Sequence, residues 1–417
     1  MYIGALSLVA AEEEFDVCAT TTNGPDDLTN LYGKPIERTC ILVEPETPSE
    51  EERCFYTYVP ESCSEKEITN APLVVDVHGV SSCAAAMAGY SGWMKKADEE
   101  CIVIVWPIGQ PFFLQGGCWN VPGFLMSSEI ESTEGSNNEI STAPCCCLDS
   151  NMLPETDSVD PQFIRDAIDQ VVDSFALTPD LKIDTDRIYM AGHSNGCIMS
   201  LAMAALYSDT IAAVCCHAGA LQTPFAEDYT PVPVWMIHGT DDQTIPYAGA
   251  TLLTFPGIGA VGFLSVDQAM SYLVDQNGCS EEEDVDLKDE TGVVIGKVSK
   301  RSNCKGNADV EIVTLNGGDH YIYKDIPQIG TYDTTVDTTA MAWEFCSSHS
   351  KGSQEPVVPE TSPPKESEPE VQADTAVEVE IDVESEKKDD EESSAPTQKS
   401  FSVVLVLALF FGVVGTV

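Results

Sequence analysis

Residues 186–203 read D-R-I-Y-M-A-G-H-S-N-G-C-I-M-S-L-A-M. Arg187–Ala191 has the apolar content of a buried strand, and Cys197–Tyr207 has apolar positions at helical spacing. Gly192-His193-Ser194-Asn195-Gly196 lies between them, so a serine flanked by glycines sits where a strand hands over to a helix. A serine hydroxyl is a poor nucleophile until a base takes its proton and the backbone presents it. A tight strand-to-helix turn does the presenting, and glycines are needed where side chains would clash. The helix behind Ser194 adds the positive end of its dipole and the Asn195 N–H, both suited to a developing oxyanion.

A nucleophile of this kind needs an acid and a histidine later in the chain, in that order. The apolar run Val234–His238 is followed by Gly239-Thr240-Asp241-Asp242-Gln243-Thr244-Ile245-Pro246-Tyr247, which puts two acids at a strand's carboxyl end. The run Val310–Thr314 is followed by Leu315-Asn316-Gly317-Gly318-Asp319-His320, and His320 is one of only six histidines. A second oxyanion donor is expected after an early strand. Leu73–Val77 leads into His78-Gly79-Val80-Ser81-Ser82, so the Val80 N–H is the candidate partner of the Asn195 N–H, with His78 bracing the turn. Trp119, Tyr247 and Tyr321 are the candidate substrate contacts. Such a site needs no metal or cofactor.

Strand-like runs at Leu73–Val77, Cys101–Trp106, Arg187–Ala191, Ala212–His217, Val234–His238 and Val310–Thr314 alternate with helical patterns. The helical patterns cover Gly89–Glu99, Pro161–Phe175, Cys197–Tyr207 and Val266–Gln276, with Asp160 before Pro161 reading as an N-cap. Continuous apolar strands separated by helices predict an α/β fold, a mostly parallel sheet with helices on both faces. In such sheets the site lies at the carboxyl ends of the strands. The polar, cysteine-bearing stretch Val121–Asp157 reads as an insertion near that edge, within a catalytic domain spanning residues 30–350.

The 417-residue chain carries 20 Lys and Arg against 69 Asp and Glu, a net charge of −49, yet 43% of it is hydrophobic, enough for a sizeable core. That charge argues against nucleic acid and polyanionic substrates and favours neutral or cationic ones. The 16 cysteines show no zinc-ligand spacing and point to disulfides in an oxidising compartment. No Asn-x-Ser/Thr sequon occurs. Residues 1–11 resemble the end of a signal peptide, shortened and without a basic start. Residues 351–400 hold 15 acids and 5 lysines among Pro and Ser and read as a solvated stalk. Residues 401–417 are almost wholly apolar, either a GPI-attachment signal or a single-pass anchor, so a secreted or surface-tethered monomer is expected.

These residues resemble the secreted α/β-hydrolase esterases that group polyhydroxybutyrate depolymerases with feruloyl and acetylxylan esterases. The match runs from Arg53-Cys54-Phe55-Tyr56-Thr57-Tyr58-Val59-Pro60 to Trp343-Glu344-Phe345. It rests on Leu73–Gly79, Tyr90-Ser91-Gly92-Trp93, Cys118-Trp119-Asn120, Arg187-Ile188-Tyr189 and Ser194-Asn195-Gly196. Its most specific piece is His238-Gly239-Thr240 with Asp242 and Ile245-Pro246-Tyr247, and Asn277-Gly278-Cys279 follows. The resemblance implies an α/β-hydrolase fold and a neutral ester substrate. Ser194 is the implied nucleophile, His320 the base and Asp242, rather than Asp241, its orienting acid. It also implies a Cys279–Cys304 disulfide. Two departures lie where substrate is chosen: Val80-Ser81-Ser82 is poorer in glycine than the family's loop, and Ile322 takes a slot that is often aromatic. A peptidase or thioesterase on the same fold, or a surface binding protein, is the other reading of the same residues.

Overall fold

The computed structural model describes residues 28–43, 51–111, 116–121, 159–177, 180–255, 259–323 and 335–353. The expected signal peptide at 1–11, most of the 121–157 insertion, the stalk beyond 353 and the tail at 401–417 lie outside the described residues. Among the described residues no helix is long and apolar enough to cross a membrane.

Fourteen strands are described: β1 Ile36–Val43, β2 Glu51–Tyr58, β3 Asn70–Val77, β4 Val103–Pro107, β5 Gln110–Pro111, β6 Gly117–Cys118, β7 Lys182–His193, β8 Ala213–His217, β9 Val234–Gly239, β10 Ala250–Phe255, β11 Gly259–Phe263, β12 Glu281–Lys288, β13 Val294–Ser302 and β14 Val310–Leu315. Ten of them form one sheet in the order β1-β2-β4-β3-β7-β8-β9-β14-β13-β12. The run from β4 to β14 is parallel, and antiparallel strands flank it on both sides. This is the α/β-hydrolase sheet, as expected.

The alternation along each strand sends side chains to two cores, one on each face. Leu73, Val75, Val77, Met190, Val234 and Met236 face one core, covered by the helices Asp160–Ala176, Asn195–Leu206 and Val266–Asn277. Val74, Tyr189, Trp235 and Ile237 face the other, under the helices Ala84–Tyr90, Trp93–Glu100 and Thr338–Ser347. Every residue of β4, β8 and β9 is buried, which is why these strands read as unbroken apolar runs.

Disulfides join Cys40 to Cys54, Cys63 to Cys101, Cys197 to Cys216, Cys215 to Cys346 and Cys279 to Cys304. The last of these is the pairing that the resemblance implies. Cys83 and Cys118 are disulfide-bonded as well.

Three local expectations need correction. The helix expected over Gly89–Glu99 is two helices, broken at Ser91-Gly92, where Gly92 has φ +79°. Asp160 is not an N-cap but the first residue of its helix, and its side chain is spent elsewhere. Its Oδ1 accepts from Arg53 Nη1 at 2.7 Å and its Oδ2 from the Asn120 N–H at 2.7 Å, all of it buried. The β12–β13 hairpin was not expected at all. Glu281–Lys288 is exposed and rich in acids, and its pairing is supported by Asp284 with Lys297 and Arg301, each at 3.1 Å.

Candidate active site

Strand β7 ends at His193 and a helix begins at Asn195, so Ser194 occupies the turn at the carboxyl edge of the sheet. Its backbone sits at φ 57°, ψ −123°, a conformation that costs a non-glycine residue roughly 1–3 kcal/mol. The surroundings force it. The Ser194 N–H donates to His217 O at 2.9 Å, which ties the turn to the end of β8. A Cβ on Gly196 would come within 1.9 Å of Val77 O, and one on Gly192 within 2.7 Å of the Gly196 carbonyl. The two glycines are therefore required by close packing of β7 and its helix against the end of β3.

The turn after β3 lies against the serine. A Cβ on Gly79 would be 3.2 Å from Ser194 Cβ, so Val80 follows directly on a residue that touches the nucleophile candidate. His78 Nε2 accepts the Gly109 N–H at 3.0 Å, which leaves Nδ1–H to donate to Gly79 O at 2.8 Å. Burial pushes this imidazole down to about 4, so it is a neutral brace for the turn. Among the described residues, neither the Val80 nor the Asn195 N–H has a backbone acceptor outside regular structure. Asn195 is the first residue of its helix, where an N–H has no partner in the preceding turn.

Trp119, expected to touch substrate, is fully buried. Its indole N–H donates to His78 O at 2.9 Å and its ring packs on Phe163. It braces the turn through His78 and presents no open face to a ligand. Asn195 clamps the same residue from both sides: its Oδ1 accepts the Trp119 N–H at 2.8 Å, and its Nδ2 donates to Trp119 O at 3.2 Å. Residue typing had given Asn195 only a backbone role.

Asp242 and His320 come together across 78 positions of sequence, with Nδ1 of the histidine 2.7 Å from Asp242 Oδ2. The loops after β9 and β14 are stitched to each other: Thr240 N–H to Leu315 O at 3.0 Å, Asp241 N–H to Gly318 O at 2.9 Å, and Gly317 N–H to Thr240 Oγ1 at 2.8 Å. Gly239 allows the approach, since a Cβ there would meet Gly318 O at 2.2 Å. Asp241 points into solvent while Asp242 is buried, so the structure separates the two candidate acids. Burial pushes the Asp242 carboxyl up, but hydrogen bonds from His238 and His320 and their charge outweigh that and hold it well below the usual carboxylate range. Its Oδ1 accepts the N–H groups of Thr244 and Ile245 at 2.8 and 2.9 Å.

No hydrogen bond joins Ser194 Oγ to His320 among the described residues; the connection runs through His193. The His193 Nε2–H donates to His320 O at 2.8 Å, and the two ring centroids are 4.8 Å apart. Burial holds His193 down at about 3, so it acts as a neutral strut. Sequence reading gave this residue no role. Its place beside Ser194 was the only signal available. Tyr321 packs against both histidines, with centroids 5.4 and 5.5 Å away. Tyr247, half-buried, hydrogen-bonds Thr314 Oγ1 at 3.0 Å and stands edge-on to His238 at 5.9 Å. Ile322 is fully buried.

The sequence pattern of the phospholipase/carboxylesterase family matches residues 149–254, the stretch that holds Ser194 and Asp242. A feruloyl esterase B of Piromyces equi is 25% identical over 255 residues, which is 60% of this chain and 39% of the relative. A bifunctional acetylxylan esterase/xylanase of Neocallimastix patriciarum is 24% identical over 196 residues, 47% of this chain and 22% of the relative. The chain therefore spans less than half the length of these relatives. Among solved structures, an acetyl xylan esterase from Aspergillus awamori aligns over 75% of this chain and 99% of its own, at 12% identity and a TM-score of 0.45. The esterase resemblance seen in the motifs is thus met again in the relatives.

Proposed function

We propose that this chain, an α/β-hydrolase whose relatives include feruloyl and acetylxylan esterases, hydrolyses carboxylic esters with Ser194 as nucleophile, His320 as base and Asp242 as the acid that orients it. Ser194 Oγ attacks the ester carbonyl carbon while His320 Nε2 takes its proton. Asp242 stabilises the imidazolium that forms. The Val80 and Asn195 N–H groups hold the tetrahedral oxyanion, and loss of one such donor typically costs about 3 kcal/mol of barrier. The intermediate collapses, the alcohol leaves with the proton from His320, and an acyl-serine remains. Water then attacks that acyl group with His320 again as base and releases the acid. Tyr247 and Tyr321 are the side chains proposed to meet substrate. The five disulfides and the further disulfide-bonded Cys83 and Cys118 fit an oxidising compartment, and a secreted or surface setting is part of the proposal.

The observation that carries this reading is the Asp242–His320 pair at 2.7 Å, tied through His193 to a strained serine at the strand-to-helix turn. The test is fluorophosphonate labelling of the full chain beside Ser194→Ala and His320→Ala. The same three proteins are assayed on nitrophenyl acetate, methyl ferulate and a short hydroxybutyrate ester. The expected result is labelling and turnover in the wild type only, with the substrate ranking choosing the ester class. A folded wild type that neither labels nor turns over any of the three overturns the proposal.

A further inference from the structure

Asp242 has a second histidine on it. His238 is the penultimate residue of strand β9, next to Gly239, and is fully buried. Its Nε2 lies 2.8 Å from Ile245 O and 3.2 Å from Asp242 Oδ2, the same carboxylate oxygen that faces His320 Nδ1. Its Nδ1 lies 3.2 Å from Gly219 O. Among the described residues, the polar atoms within hydrogen-bonding distance of this ring are therefore oxygens that can only accept. A neutral imidazole has one N–H and one lone pair. Either tautomer would set that lone pair against a carbonyl or carboxylate oxygen inside the protein, where an unmade hydrogen bond is costly. The doubly protonated ring removes the conflict, and its charge has the paired, hydrogen-bonded partner that buried charges need.

We propose that His238 is a positioning residue that carries both ring protons and shares Asp242 Oδ2 with His320, so that the proposed acid is held as a carboxylate between two histidines. This deepens the esterase reading and rests on it. The ionisable groups facing His238 are Asp242 on its own loop, His320 from the loop after β14, His193 from the end of β7, and Tyr247, edge-on to its ring. Two consequences follow. The carboxylate is held at four points, by Thr244, Ile245, His238 and His320, so its orientation does not depend on substrate. In addition, a standing positive charge beside Asp242 opposes the formation of a second imidazolium at His320.

The test has two readouts. In the full chain with nitrogen-15-labelled histidine, both ring nitrogens of His238 should carry protons throughout pH 5–8, taken as roughly the span over which histidines change charge. A His238 nitrogen without a proton in that span overturns the proposal. In His238→Gln the side-chain amide keeps a donor for Asp242 but carries no charge. The acid limb of kcat/KM should then move to higher pH by about one unit. A merely structural role would lower activity without moving the limb, and an unmoved limb overturns the proposal. If the variant does not fold, the wild-type spectrum still decides. That spectrum reads His238 whether or not the chain hydrolyses esters, so failure here is distinguishable from failure of the esterase proposal.

Discussion

The candidate residues Ser194, Asp242 and His320 can be named one at a time, because each sits in a motif whose residues are adjacent in sequence. What was not legible is how each is held, since His193, His238 and Asn195 act across 76 to 127 positions or through side chains whose targets no local pattern names. Asp160 makes the same point from the other side. Its place before a proline fits the local rule for a helix cap, but Arg53, 107 residues away, claims it. The two neighbouring acids give a clean residue-level prediction. Asp242→Asn should lower kcat by about 10⁴-fold, the size seen when the orienting acid of a serine triad is lost. Asp241→Asn, on an exposed carboxylate, should leave it unchanged. Parallel assays on nitrophenyl acetate check both. For the buried pair, Asp160→Asn leaves Arg53 charged without its partner, and urea unfolding should show a loss of about 3–5 kcal/mol.

At the scale of elements, the six central strands were readable because both of their faces are buried and their sequences are almost uninterrupted runs of apolar residues. The β12–β13 hairpin was not, because its stability comes from cross-strand charge pairs on residues that are individually poor strand formers. The break in the helix expected over 89–99 has a physical cause as well. Ser91 Oγ donates to the buried Asp76 Oδ2 at 2.6 Å, and Gly92 turns the chain there with a positive φ. The junction of β3, β7 and the helix behind Ser194 is the tightest of these contacts. Gly196→Ala should destabilise the protein by about 3 kcal/mol or more, because the methyl group would have to displace the Val77 backbone. A thermal melt and fluorophosphonate labelling should show the loss together.

For the molecule as a whole, acid sensitivity is set by histidines kept neutral inside it. Burial holds His78 at about 4 and His193 at about 3, and pushes His217 down too, against an ordinary value of 6.5. The unfolded chain takes up these protons below that value, so the stability they contribute is present above pH 6.5 and is lost as the pH falls toward about 4 and below. Asp76 opposes them. Burial raises its carboxyl to about 7, so its contribution declines as the pH rises from roughly 4 to 7. Three histidines outweigh one acid, and Tm should fall between pH 6.5 and 4 in a scan at constant ionic strength. In Asp76→Asn, with the opposing slope removed, the fall should be steeper.

The position of β14 governs when such a molecule can first work. The strand lies between β9 and β13, so a chain emerging from its N-terminus can assemble β1 to β9, with Ser194 and Asp242 in place, while β9 is still an open edge. An unpaired edge strand recruits other chains. The segment that closes the edge is the one that delivers His320 at its end. On the proposed mechanism, half-made chains are thus both inert and adhesive, and the onset of activity during synthesis would mark the moment at which β9 gains its second neighbour.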